Sequence, residues 1–96
     1  MKKRTGFVSN SSSSSFVIFK DRLNEEQIEM IKDHATIVEL LYNQGTQMDF
    51  GSLDAWGINE TDLTIEGYTH MDNFDMYDFL KYIVKVDSNY IKWGEY

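Results

Sequence analysis

The sequence predicts a small α+β domain, a three- to four-stranded sheet with two helices packed on one face. Three observations carry that expectation. An unbroken run of β-forming residues, Phe16-Val17-Ile18-Phe19, leads directly into a stretch with helix-start chemistry. Residues 62–69 alternate apolar and polar and lead into a second helical pattern. A last aromatic strand, Tyr90-Ile91-Lys92-Trp93, follows a turn. The order strand–helix–irregular–strand–helix–strand folds most simply with both helices on one side of one sheet.

Residues 1–13 read as a basic, serine-rich arm: Lys2, Lys3 and Arg4, then Gly6-Phe7-Val8, then the approach to the run Ser11–Ser15. A serine run buries too little apolar area to offset the entropy of ordering its backbone. Residues 14–96 are one domain, because a chain of 96 residues has material for a single core. The first strand covers Ser14–Lys20, and its continuous apolar run predicts a central strand buried on both faces. Asn24 is placed to cap the first helix, with Gln27 closing a capping box and Glu25 and Glu26 complementing the dipole. Leu23 and Ile28 staple its entry, and Ile28, Ile31, Ala35 and Val38 share its core face. The helix stops near His34 or runs to Tyr42, before Asn43-Gln44-Gly45. The β-branched Thr36-Ile37-Val38 leaves a short strand at Ile37–Leu41 as the competing reading. His34, late in such a helix, would favour its dipole when protonated.

Residues 46–60 hold Met48, Phe50, Leu53 and Trp56 among regularly spaced glycines. That much apolar weight predicts an irregular segment folded over the core or forming part of a binding face. Core packing is the favoured role of Trp56, and contact with a partner is the second. In the strand at 62–69, Leu63, Ile65 and Gly67 share one side, while Thr64, Glu66 and Tyr68 share a wet one. The second helix is expected to begin at Asp72 or Asn73 and to bury Phe74, Tyr77, Leu80 and Val84. Its polar strip is narrow: Asp75, Asp78, Lys81 and Lys85. Asp87-Ser88-Asn89 then makes the turn into the last strand.

Charge and composition exclude several classes. Residues 1–48 balance six acidic against six basic side chains, whereas residues 49–96 carry ten acidic and three basic. The formal charge of −7 thus sits in the second half, a field that repels nucleic acid and anionic lipid and attracts basic surfaces. No direct nucleic-acid binding is expected. No apolar run approaches the ~18 residues of a membrane span. The basic start is followed by polar residues rather than by a secretory apolar core, so the expected setting is cytoplasmic. There is no cysteine, which excludes disulfides and thiolate metal sites.

One cluster resembles a reactive site: His70, Asp72, Asn73, Asp75 and Asp78. His70, Asp72 and Asp75 are the candidate metal ligands, since His-x-Asp at a strand end can aim two donors at one point. Helix capping and dipole complementarity explain the same aspartates without a ligand, and the calcium-loop pattern is absent. The expectation is therefore no metal, no cofactor and no catalytic residue. A metal-dependent enzyme is the third reading.

Two segments resemble proteins of a known source. The string GFVSNSSSSSF at Gly6–Phe16 is similar to the opening of many small uncharacterised proteins encoded by tailed bacteriophages. GYTHMDNFDMYDFL at Gly67–Leu80 resembles a segment of such proteins. The resemblance covers about a quarter of the chain. It implies a phage origin and residence in the cytoplasm of the infected bacterial host, and it transfers no catalytic residue. The first functional expectation is an interaction protein that modulates a host or phage protein through an acidic, aromatic surface. Trp56, Tyr68, Asp75, Asp78 and Trp93 are the candidate contact residues. The second is a virion or assembly accessory protein whose serine-rich arm orders on assembly.

Overall fold

A computed structural model describes residues 13–71 and 73–95. Four strands, β1 (Ser14–Phe19), β2 (Gly57–Glu60), β3 (Thr64–Thr69) and β4 (Ile91–Glu95), form one antiparallel sheet. Their order across the sheet is β2-β3-β1-β4. Helices α1 (Glu25–Lys32) and α2 (His34–Asn43) connect β1 to β2. Between β3 and β4, α3 (Met76–Asp78) continues directly as a π-helix over Phe79–Val84. With β3 inserted between β1 and β2, this is the split-βαβ, or ferredoxin-like, arrangement. The α+β expectation holds, and the irregular segment contributes a fourth strand, β2, at its end. The serine-rich arm lies outside the described residues except for Ser13.

The core sits on one face of the sheet. Phe16 and Ile18 of β1 and Ile65 of β3 meet Ile31, Val38, Phe79 and Leu80 from the helices, all fully buried. Gly67 lies opposite Phe16 in the ladder, and a Cβ there would overlap the Phe16 ring, so the ring fills the space the glycine leaves. β1 is central in the sheet but is not buried on both faces. Ser15, Val17 and Phe19 project away from the core, and Phe19 is 51% exposed. Its apolar run resembles that of a two-faced strand because β-formers also suit the open face of an antiparallel sheet.

The start of α1 is as its sequence predicts. Asn24 accepts from the Gln27 amide at 2.8 Å, and Gln27 Oε1 accepts from the Asn24 amide at 2.9 Å. The Gln27 side-chain amide also donates to the Val84 carbonyl at 3.1 Å, tying the cap to the end of the π-helix. Both expected helix ends contain part of the truth: α1 gives way at Asp33, and α2 begins at once and runs to Asn43. The strand alternative at Ile37–Leu41 does not form. Ile31 and Val38 stay on one buried face across the break.

The second helix starts later than Asp72 or Asn73 predicts. Residues 73–75 are engaged with 50–52: Ser52 donates to the Asn73 carbonyl at 3.0 Å and Asp75 to the Phe50 carbonyl at 2.7 Å. Helical dihedrals can begin only beyond that pairing, and the cap is Asp75, which accepts from the Asp78 amide at 3.1 Å. Asp75 is therefore 8% exposed and absent from the polar strip, while Tyr77, expected in the core, faces outward. Lys85 ends the π-helix in the left-handed region, φ 67°, with its amide donating to the Leu80 carbonyl. An L side chain there costs about 1–2 kcal/mol, which exceeds the entropic cost of glycine. Lys85→Gly is expected to raise stability by about 0.5–1 kcal/mol, read as a higher urea midpoint; a lower midpoint would mean that the Lys85 side chain itself contributes.

Candidate functional site

The cluster that resembles a reactive site divides when folded. His70 turns toward the open face, its Nδ1 3.2 Å from the Tyr68 hydroxyl and the two rings edge to face at 4.9 Å. Asp72 lies outside the described residues. Asn73 donates through its side chain to Asp54 at 3.3 Å. Asp75 turns inward as the cap, and the half-buried Asp78 gives it a backbone amide. Among the described residues, no group of three His, Asp or Glu side chains is placed to hold a metal ion. Capping is a sufficient account of Asp75.

His34 is a structural centre rather than a surface dipole partner. It opens α2 instead of closing a helix and is 1% exposed. Its Nδ1 lies 2.7 Å from the Ile31 carbonyl, and its Nε2 is 2.9 Å from the Trp56 amide. An amide can only donate, so Nε2 accepts, Nδ1–H donates to Ile31, and the ring is neutral. Burial pushes its pKa down, only partly offset by the Ile31 carbonyl and by Asp33. Phe74 and Phe79 pack against it edge to face.

Trp56 is thereby removed from the candidate contact residues. It is 3% exposed, donates its indole N–H to the Phe74 carbonyl at 3.2 Å, and packs against Phe16 and Trp93. Core packing accounts for it. Trp93 is half-buried on the core side of β4, between Phe16 and Tyr77. Tyr68, next to Gly67, projects from the opposite face. The two aromatic candidates that keep some exposure therefore cannot form one site.

An ionic clamp joins the helices to the edge of the sheet. Glu60 of β2 lies 2.7 Å from Lys20 Nζ and also pairs with Lys32 of α1. Hydrogen bonds from Lys20 and then Lys32 hold its carboxyl down at about 2, and the bond to Glu60 pushes the Lys32 ammonium up. Lys32 reaches Glu29 as well, at 3.8 Å. These charges satisfy one another, and the arrangement is a tether rather than a reaction centre.

A different surface combines charge with exposed apolar side chains. The pairing of 50–52 with 73–75 brings two irregular segments side by side, and the Asp54–Asn73 bond extends that contact. On them Met48, Leu53 and Met71 are exposed, Met71 by 49%, alongside the exposed Asp49 and Asp54. Asp49 is held in place by accepting from the Gly51 amide at 2.9 Å. The chain matches no family model, no curated protein and no solved structure. Function is therefore read from these residues. Half-chain charge totals overlook the relevant signal: from Asp33 to Leu80 there are ten acidic residues and no lysine or arginine. Only the pairing of two distant loops shows which part of that span becomes one surface.

Proposed function

We propose that the protein is a small interaction module that docks on a basic surface of another protein through the acidic, apolar patch of Met48, Asp49, Leu53, Asp54 and Met71. The observation that carries this reading is the cation-free span from Asp33 to Leu80, together with the exposed Leu53 and Met71 on the two segments that the Asp54–Asn73 bond joins. An acidic span that carries no lysine or arginine of its own steers basic partners and speeds their encounter. Methionine and leucine then supply adaptable apolar contact. The resemblance to phage proteins supports an infected bacterium as the setting, with a host or phage protein as the target. On this reading the chain is not an enzyme and takes no cofactor.

The tagged 96-residue chain incubated with lysate of the bacterial host is expected to retain a basic protein. Retention should fall as ionic strength rises from about 0.1 to 1 M, where the screening length drops from ~10 to ~3 Å. Asp54→Lys combined with Met71→Lys should weaken retention at least tenfold with an unchanged circular dichroism spectrum. Retention indifferent to both salt and this double variant, or no retained protein at all, sinks the proposal.

A further inference from the structure

We infer that the open face of the sheet is a self-association surface that takes a second copy of this chain, face to face about a two-fold axis parallel to β1. The side chains of this face form rows across the strands. Val17 has Glu66 opposite it on β3 and Lys92 opposite it on β4. In the next row Ser15 has Tyr68 on one side and Gly94 on the other. Each row thus runs from a projecting or acidic group, through a small or apolar centre, to a basic or vacant position.

Such rows complement themselves when reversed. A two-fold axis parallel to β1, midway between two facing sheets, reverses every row. Val17 then meets its own copy, Glu66 faces the second copy's Lys92, and Lys92 faces the second copy's Glu66. The Tyr68 ring stands over the second copy's Gly94, where no side chain occupies the space. An axis across the strands, centred on the same row, would put Glu66 against Glu66 and Lys92 against Lys92. The charges therefore select one of the two symmetric pairings. Aligned sheets pack about 10 Å apart with their strands within about 30°, a gap that a glutamate and a lysine bridge together. The Glu66 carboxylate is held on this face by the Thr64 hydroxyl at 2.9 Å. Phe19, at the end of β1, is brought against its own copy and loses its exposure. The contact is isologous, as closed dimers require. Its footprint, three strands about 5 Å apart and about 20 Å long, is small, so the pair should be weak and form toward the upper end of a micromolar-to-millimolar range.

Light scattering and sedimentation of the purified full chain, from about 1 µM to 1 mM, are expected to show the mass doubling with concentration. Glu66→Lys alone and Lys92→Glu alone each place like charges in contact and should remain monomeric, with unchanged circular dichroism. An equimolar mixture of the two single variants should regain the doubled mass as a heterodimer, because each then offers what the other lacks. The double exchange Glu66→Lys/Lys92→Glu should also pair. Val17→Cys, the one thiol in a chain without cysteine, should be joined into covalent pairs by a short bismaleimide, which tests the contact with both charges in place. A wild-type chain monomeric throughout, whatever else then covers the face, overturns the inference. So do single variants that still pair, or a mixture that does not. These readouts use neither Asp54 nor Met71 and need no other protein, so they stand or fall apart from the proposed partner surface.

Discussion

Replacing His34 with leucine is expected to cost the domain about 2–4 kcal/mol, although the volumes are similar and the site is apolar. The imidazole accepts from the Trp56 amide while also giving a proton to the Ile31 carbonyl. Leucine leaves the Trp56 amide without its acceptor in a region from which water is excluded, where a buried orphan costs about 1–3 kcal/mol, and it removes one bond from the Ile31 carbonyl as well. The Trp56 amide matters most, because it fixes the end of the 46–56 segment that precedes β2.

The same ring sets a pH dependence. Its folded-state pKa lies below the ordinary value of 6.5, because burial disfavours the cation. Above about pH 6.5 the ring is neutral in both folded and unfolded chains, and its full contribution is present. As the pH falls below that value, the unfolded chain takes up the proton first. Stability then declines by up to about 1.4 kcal/mol per pH unit until the folded-state pKa is passed. Urea melts at pH 7.5 and 5.5 should show this decline in the wild type and its loss in His34→Leu. Glu60 does not confuse the result, since the stability its depressed pKa lends is fully present at both pH values and is lost only as the pH falls below the ordinary carboxylate range. An equal decline in both proteins would remove His34 as its source.

Gly51→Ala is expected to be comparably severe, at about 3 kcal/mol. Gly51 has φ +81°, and a Cβ there would overlap the Asn73 carbonyl oxygen. That atom belongs to the backbone and accepts from the Ser52 amide, so it cannot swing aside as a side chain would. The substitution strains the left-handed conformation and also pries apart the pairing of 50–52 with 73–75. Gly45 provides the control: its φ is +87°, but nothing lies within 4 Å of an added Cβ. Gly45→Ala should therefore cost only the conformational part, about 1–2 kcal/mol. Equal losses from the two substitutions would show that the close approach to Asn73 is not what matters. Because the proposed partner surface rests on this pairing, Gly51→Ala should also weaken partner retention.

Local chemistry was legible wherever neighbours in sequence decide the outcome. The capping box of Asn24 and Gln27 forms as read, since its groups lie three residues apart and need nothing else. The alternation of β3 and the turn at Asp87 follow for the same reason: pleat and side-chain reach are properties of a few consecutive residues. The break at Asp33 was half legible, because periodicity continues through it and only the buried His34 marks it. The late start of α3 was not legible. Asp72, Asn73 and Asp75 are all competent caps, and what chooses Asp75 is a loop more than twenty residues earlier that engages 73–75 first.

The roles of Trp56, Tyr68 and Trp93 divide along the same line. Residue type marks all three as candidate anchors, but burial depends on what the rest of the chain lays over them. His34 and Phe74 hold Trp56 inside, Tyr77 leans on Trp93, and Tyr68 is left on the open face. By itself the sequence determined the α+β class, the helix starts governed by local caps, and an acidic span without a cation. Only the tertiary structure decided the strand order, which face of the sheet stays open, and which acidic residues share a surface. Strand partners and facing loops are chosen by contacts between residues far apart in the chain, and no short-range pattern records those.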